Sequence, residues 1–286
     1  MIVPTFKDPA TREFFERSGY AVFPGFAKSL VPELLAIYRE MLAVLPASDP
    51  YFKAPMTGTN CIADMELRAR ILAAVGRIVE PGMHAILDDF RLVGAGFRVK
   101  QAGPDSTLPL HQDPTQVEED RHWLMNFIIP IVDTNPENGA LQVVPGSHKI
   151  MPTLRSLDLE DRAELWNLDE VIEPLTETIP MRAGDAIFYP QALLHGSGAN
   201  LTNEDRPLIL GTLVAREAPV TVFFRSPDDA RVFERYEVPD DYYNRMEDFD
   251  RDHKLRPTVG RRLADVEDPY NRSRDEIMAA FRALSR

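Results

Sequence analysis

AGDAIFYPQALLHG, residues 183–196, is the stretch on which the fold turns. Gly184-Asp185 is a turn signal, and the β-forming run from Ala186 to Tyr189 follows it at once. Similar runs lie on both sides. RLVGAGFRVK at 91–100 alternates, with Val93, Ala95, Phe97 and Val99 on one face. WLMNFIIPIV at 123–132 and PLILGTLVAR at 207–216 are rich in β-formers, and LQVVPGSH at 141–148 runs into a Pro-Gly turn. Short strands closed by turns, with little helix between them, predict a mainly β barrel or jelly roll over residues 91–216. One helical interruption is expected near Leu157 to Trp166.

The flanks read differently. Residues 1–90 read as mostly helical. Leu30, Leu34, Ile37, Tyr38, Met41 and Leu45 form a helical stripe, with Ser29 as cap, Pro32 in the first turn and Pro46 as the stop. A second helix is expected from Met65 to Val79, ended by Glu80-Pro81, and a third from His84 to Phe90. Residues 217–286 are charged and mixed. They end in SRDEIMAAFRALSR, an amphipathic helix. This section reads as a lid over the barrel mouth, with Tyr242, Tyr243 and Phe249 as apolar cover, as an interface, or as plain surface. The three sections together are expected to make one catalytic domain, 1–286.

Composition narrows the function. The net charge of −13, from 45 acids and 32 bases, leaves no basic face for nucleic acid and disfavours an anionic membrane surface. Cys61 is the only cysteine, so no internal disulfide forms. The N-terminal sequence lacks the pattern of a signal peptide, and no run approaches the roughly 20 apolar residues of a membrane span. The expectation is a cytoplasmic protein, monomeric or homodimeric.

Among six histidines, His111 and His195 stand out. His111-Gln112-Asp113 is H-x-D. On a strand, His111 and Asp113 face one side and Gln112 the other. His195, at the end of the FYPQALLHG strand, can complete the set. Two imidazoles and one carboxylate make the facial triad of iron(II) oxygenases. Zinc accepts the same donors. Arg206, just before the next strand, offers a fork for a carboxylate, or a surface ion pair with Glu204 or Asp205. Ser197 shares the strand face of His195.

LHQD at 110–113, NGALQVVPGSHK at 138–149, MRAGDAIFYPQALLHGSGANLT at 181–202 and Arg206-Pro207 occur in order, after FFERSGYAVFPGF at 14–26. In these motifs the chain resembles the phytanoyl-CoA dioxygenase family. The resemblance implies a double-stranded β-helix (jelly-roll, cupin-like) core backed by helices, with iron(II), 2-oxoglutarate and O2. It implies His111, Asp113 and His195 as metal ligands, and Arg206 and Ser197 on the far carboxylate of 2-oxoglutarate. It makes Asn138, Gly139, Pro145 and Gly146 turn residues and His148 a turn or packing histidine. It further implies hydroxylation of a small molecule with release of succinate and CO2. The carboxylate of Asp113 points to oxidation rather than halogenation.

Two positions depart from the family pattern. Ile128 and Gly96 stand where larger inward groups are common. If Gly96 faces inward, so do Arg98 and Lys100, while Asn126 shares the inward face of Ile128. Arg98 and Asn126 are thus further candidates for cosubstrate contact, and Arg98 or Lys100 for an acidic group on substrate or cosubstrate. Charges on an edge strand facing solvent are the competing reading for Arg98 and Lys100. The rival functions are a jelly-roll zinc hydrolase and an inactive binding homologue.

Overall fold

The computed structural model describes residues 2–157, 168–245, 257 and 259–284. Six strands form the larger sheet, in the order β1 (Ala21–Phe23), β8 (Ala186–Pro190), β5 (Leu124–Pro130), β10 (Arg206–Ala215), β3 (Phe90–Lys100), β2 (Met56–Gly58). Four form the smaller sheet, in the order β4 (Leu108–His111), β9 (His195–Ser197), β6 (Leu141–Val143), β7 (Glu177–Ile179). All pairings are antiparallel. The chain is therefore mainly β, a jelly roll with helices outside. A further small sheet begins with β11 (Thr221–Arg225) and β12 (Val232–Glu237), while α1 (Pro9–Ser18) precedes β1 and the short α5 (Tyr242–Arg245) follows β12.

Alternation along the long strands divides the molecule into two layers. On β3, Val93, Ala95, Phe97 and Val99 are buried in the main core, together with Leu34, Tyr38 and Met41 of α2 (Val31–Val44) and Ile71, Val75 and Val79 of α3 (Met65–Ile86). The Phe97 and Tyr38 rings lie 5.2 Å apart. The opposite faces hold a second cluster between the two sheets, made by Ile128, Leu141, Val143, Ile187, Tyr189 and Leu208. Gly96 pairs with Leu210 and Arg98 with Leu208, so both belong to this inner face.

Local details differ from the sequence reading. The residues before β3 do not form only helices, since β1 and β2 supply both edges of the larger sheet. α2 starts at Val31 with no side-chain cap; Ser29 lies in a short 3-10 turn ahead of it. α3 does not stop at Glu80-Pro81 but runs through Pro81 to Ile86, and Phe90 opens β3 instead of ending a helix. Val79 and Met83 are fully buried on either side of Pro81, so packing offsets the lost backbone hydrogen bond. β4 ends at His111, leaving Asp113 in the following loop. His195 does not end the strand that holds Tyr189. It opens β9, in the other sheet, after a turn closed by Leu193 N–H donating to the Pro190 carbonyl at 2.9 Å. The expected helix at 157–166 falls almost wholly at positions outside the described residues, as does Phe249.

The C-terminal helix α6 (Arg274–Leu284) docks away from the inner cavity. Ile277, Met278 and Phe281 pack against Val144, Ile150 and Leu194 and against Val171 and Ile172 of α4 (Asp169–Ile172). No helix among the described residues is long and apolar enough to cross a membrane. Phe281→Ala is expected to lower the unfolding free energy by about 3–5 kcal/mol, read by urea denaturation. A loss below about 1 kcal/mol would show that α6 does not close this cluster.

Candidate metal centre

Strand pairing builds the site. β4 and β9 place His111 opposite His195, with ring centroids 4.4 Å apart. Each ring is tied back through Nδ1: His111 to the Pro109 carbonyl at 2.8 Å, His195 to the Leu193 carbonyl at 2.9 Å. A carbonyl only accepts, so each Nδ1 carries the proton and each Nε2 presents a lone pair. Those two Nε2 atoms lie 3.7 and 3.4 Å from the Asp113 carboxylate oxygens. One ligand atom from each of the three residues falls within 4.8 Å of the others. Three acceptor atoms converging without hydrogens between them repel one another unless a cation sits among them. The donor set suits a divalent first-row metal with several positions left open.

Asp113 is held from several sides. Asn126 Nδ2 donates to its Oδ2 at 2.7 Å. Asn126 Oδ1 in turn accepts from Gln191 Nε2 at 3.0 Å and from Thr212 Oγ1 at 2.8 Å. Arg155 Nε donates to the Asp113 carbonyl at 2.6 Å, and the Arg155 guanidinium is itself paired with buried Glu119. Gln112 points away and donates to the Ala192 carbonyl at 2.6 Å, fixing the turn before His195. Gln191 lies inside the AGDAIFYPQALLHG stretch without standing out there, and Thr212, Arg155 and Glu119 have no motif around them, so the sequence reading missed all four. Only the inward register of Thr212 with Asn126 was available in principle.

Beyond the triad lies a cavity of about 320 Å³ between the sheets, bordered by Tyr189, Ile128 and Leu208 and reaching Ser197 and Arg206. Arg206 is 5% exposed and its Nε finds no hydrogen-bond partner. The surface-pair alternative fails: Asp205 accepts from the Ala102 backbone N–H instead, and among the described residues no carboxylate pairs with Arg206. Burial alone lowers its pKa to about 10. Thr57 Oγ1, on the same cavity, is also buried without a partner.

The remaining candidates fall elsewhere. Lys100 is completely buried, not an exposed edge charge. It donates to the Ser106 and Gly198 carbonyls, so it braces loops, and among the described residues it pairs with no acidic group. Burial first, and then Arg206, bring its pKa down to about 7. Arg98 donates to Asn60 Oδ1 and stands between the two cavities that meet at Asp113. Burial lowers its pKa, with Cys61, Asp113 and Tyr189 opposing. Asn126 sits beside Asp113 and does not border the cavity that holds Arg206. His148 is a buried packing residue against Gly19, and burial lowers its pKa to about 4. Gly139 and Gly146 adopt positive φ at their turns.

Comparison with known proteins agrees with this architecture. Residues 15–208 match the family model for phytanoyl-CoA dioxygenase. Dioxygenase FrzG of a Cladobotryum species is 33% identical over 144 residues, covering 43% of each chain. Dioxygenase cdmD of Talaromyces verruculosus is 28% identical over 111 residues, covering 38% of this chain and 32% of that protein. The chain thus spans less than half the length of these curated relatives. In fold, it is similar to the non-haem α-ketoglutarate-dependent carbocyclase SnoK of nogalamycin biosynthesis, with a TM-score of 0.52 at 19% identity over 76% of this chain and 88% of that one. It is similar also to HygX of Streptomyces hygroscopicus, solved with nickel and 2-oxoglutarate bound, with a TM-score of 0.50 at 20% identity over 72% of this chain and 86% of that one. With the family model matched across most of its length, this chain belongs to the phytanoyl-CoA dioxygenase family.

Proposed function

We propose that the chain is an iron(II)- and 2-oxoglutarate-dependent dioxygenase that hydroxylates a small molecule. Arg206 carries the reading. A buried guanidinium without a partner is costly, and this one lies on the cavity that starts at His111, Asp113 and His195. A dicarboxylate spanning the two would give it a fork-on-carboxylate pair. A hydrolase has no use for such an anchor.

His111, Asp113 and His195 would hold the iron, and Arg206 with Ser197 the far carboxylate of 2-oxoglutarate. When bound, iron, 2-oxoglutarate and O2 supply the oxidation, yielding succinate and CO2 as the substrate gains a hydroxyl. The chain's own part is geometry and dryness. The Nδ1 hydrogen bonds keep both imidazoles facing the ion, and Asn126 fixes the carboxylate rotamer. Ile128, Tyr189 and Leu208 are buried and exclude water from the cosubstrate cavity. The single cysteine, which allows no internal disulfide, supports a cytoplasmic enzyme.

Purified apo-protein given iron(II) and 2-oxoglutarate without oxygen should develop a weak visible charge-transfer band. The band should vanish in His195→Ala and weaken in Arg206→Ala. Iron bound with no band would overturn the assignment. Asn126→Leu should weaken iron(II) binding roughly 10- to 100-fold, measured by anaerobic titration. An unchanged affinity would remove Asn126 from the positioning role.

A further inference from the structure

A second cavity, of about 150 Å³, meets the first at Asp113 and Arg98. Gly94 and Gly96 leave part of its β3 wall without side chains, next to Arg98. A Cβ at Gly96 would come within 2.7 Å of Leu72, so no other residue fits there without displacement. Much of the remaining lining is polar, with Thr59, Asn60, Gln116, Gln191 and Asn244 among it. A space of this size holds one six-membered ring.

Two buried polar atoms on this lining have no partner among the described residues: Asn60 Nδ2 and Gln191 Oε1. Their polarity is fixed by their neighbours. An ionised carboxylate only accepts, so Asp113 obliges Asn126 to offer Nδ2. Asn126 Oδ1 then obliges Gln191 to offer Nε2, leaving Gln191 Oε1 as an acceptor. Likewise Arg98 only donates, so it takes Asn60 Oδ1 and leaves Nδ2 as a donor. The chamber beside the triad therefore holds one unsatisfied donor and one unsatisfied acceptor. A hydroxyl group answers both needs, and a hydrocarbon answers neither.

We propose that this chamber receives a hydroxyl-bearing ring, of the sugar or cyclitol class, as the reacting end of the substrate. Its hydroxyls accept from Asn60 Nδ2 and donate to Gln191 Oε1. This rests on the dioxygenase reading, since the ring lies beside Asp113, in a chamber that Arg206 does not border. An apolar acyl chain would leave both groups buried and unpaired, weakening binding roughly ten- to a hundredfold for each. The chamber shares Leu72, Gly94 and Asn244 with an outer groove of about 740 Å³ along α3. A larger substrate extends into that groove, past Arg77 and Glu80.

The test uses the full chain with iron(II) and 2-oxoglutarate under anaerobic conditions. The probes are myo-inositol and methyl β-D-glucopyranoside, with cyclohexanol and octanoate as the apolar set. The polyols should perturb the charge-transfer band saturably and show saturation-transfer NMR contacts, and the apolar set should not. Asn60→Asp keeps the acceptor for Arg98 but replaces the donor. It should weaken polyol binding by about tenfold or more while the band itself forms. A band that responds to octanoate or cyclohexanol but to neither polyol overturns this proposal and leaves the dioxygenase reading standing. So does a band that no probe perturbs at roughly tens of millimolar, or equal polyol binding by wild type and Asn60→Asp. If no band forms at all, the dioxygenase reading fails and this proposal with it. Should Asn60→Asp not fold, the wild-type comparison decides alone.

Discussion

Three acceptor atoms aimed at one point are the constraint around which this molecule is arranged. His111 Nε2, His195 Nε2 and the Asp113 carboxylate gain nothing from one another's company without a cation. Keeping them together needs structure on every side. The β4–β9 register sets the two imidazoles next to each other, their planes tilted by 47°, and backbone carbonyls lock their tautomers. Asp113 lies outside the strand, so its hold comes from side chains: Asn126 on the carboxylate, Arg155 on the carbonyl. The buried Glu119 that pairs with Arg155 completes a support with no contact to the triad atoms themselves.

The long strands serve two purposes at once through alternation. Odd positions of β3 carry the core beneath the helices. Even positions carry two glycines, an arginine and a lysine into the space between the sheets. Lys100 shows how a charge is kept there: two carbonyls accept its hydrogen bonds and bind β3 to the loops carrying Ser106 and Gly198. Arg206, its cross-strand neighbour, has no such arrangement. The contrast between adjacent cations distinguishes a lysine that braces loops from an arginine left without a partner beside the cavity.

Much of this was legible in the sequence. H-x-D, a distant histidine before a glycine, and an arginine ahead of a β run are local patterns, and the fold brings all four residues to one cavity. The alternation of RLVGAGFRVK assigned the faces of β3 because a period of two holds along Gly94–Lys100, past the register shift beside Val93. What escaped depends on contacts between remote segments. Pro81 reads as a stop, yet Val79 and Met83 carry α3 through it. Gln191 sits in a turn, where nothing nearby says that its amide faces Asn126. The sequence places Asn126 on the inward face, but its partner emerges only when the fold brings β5 and the loop after β4 together.

The β4–β9 pairing has one more consequence. These are strands of four and three residues, joined only across a distorted ladder and separated by a long intervening chain. An ion shared by His111 and His195 acts as a reversible cross-link that closes this loop, as a disulfide would, but governed by metal activity rather than redox poise. The smaller sheet is then a conditional structure, tightest when the ion is present. Its integrity and the enzyme's readiness would be one thermodynamic quantity rather than two.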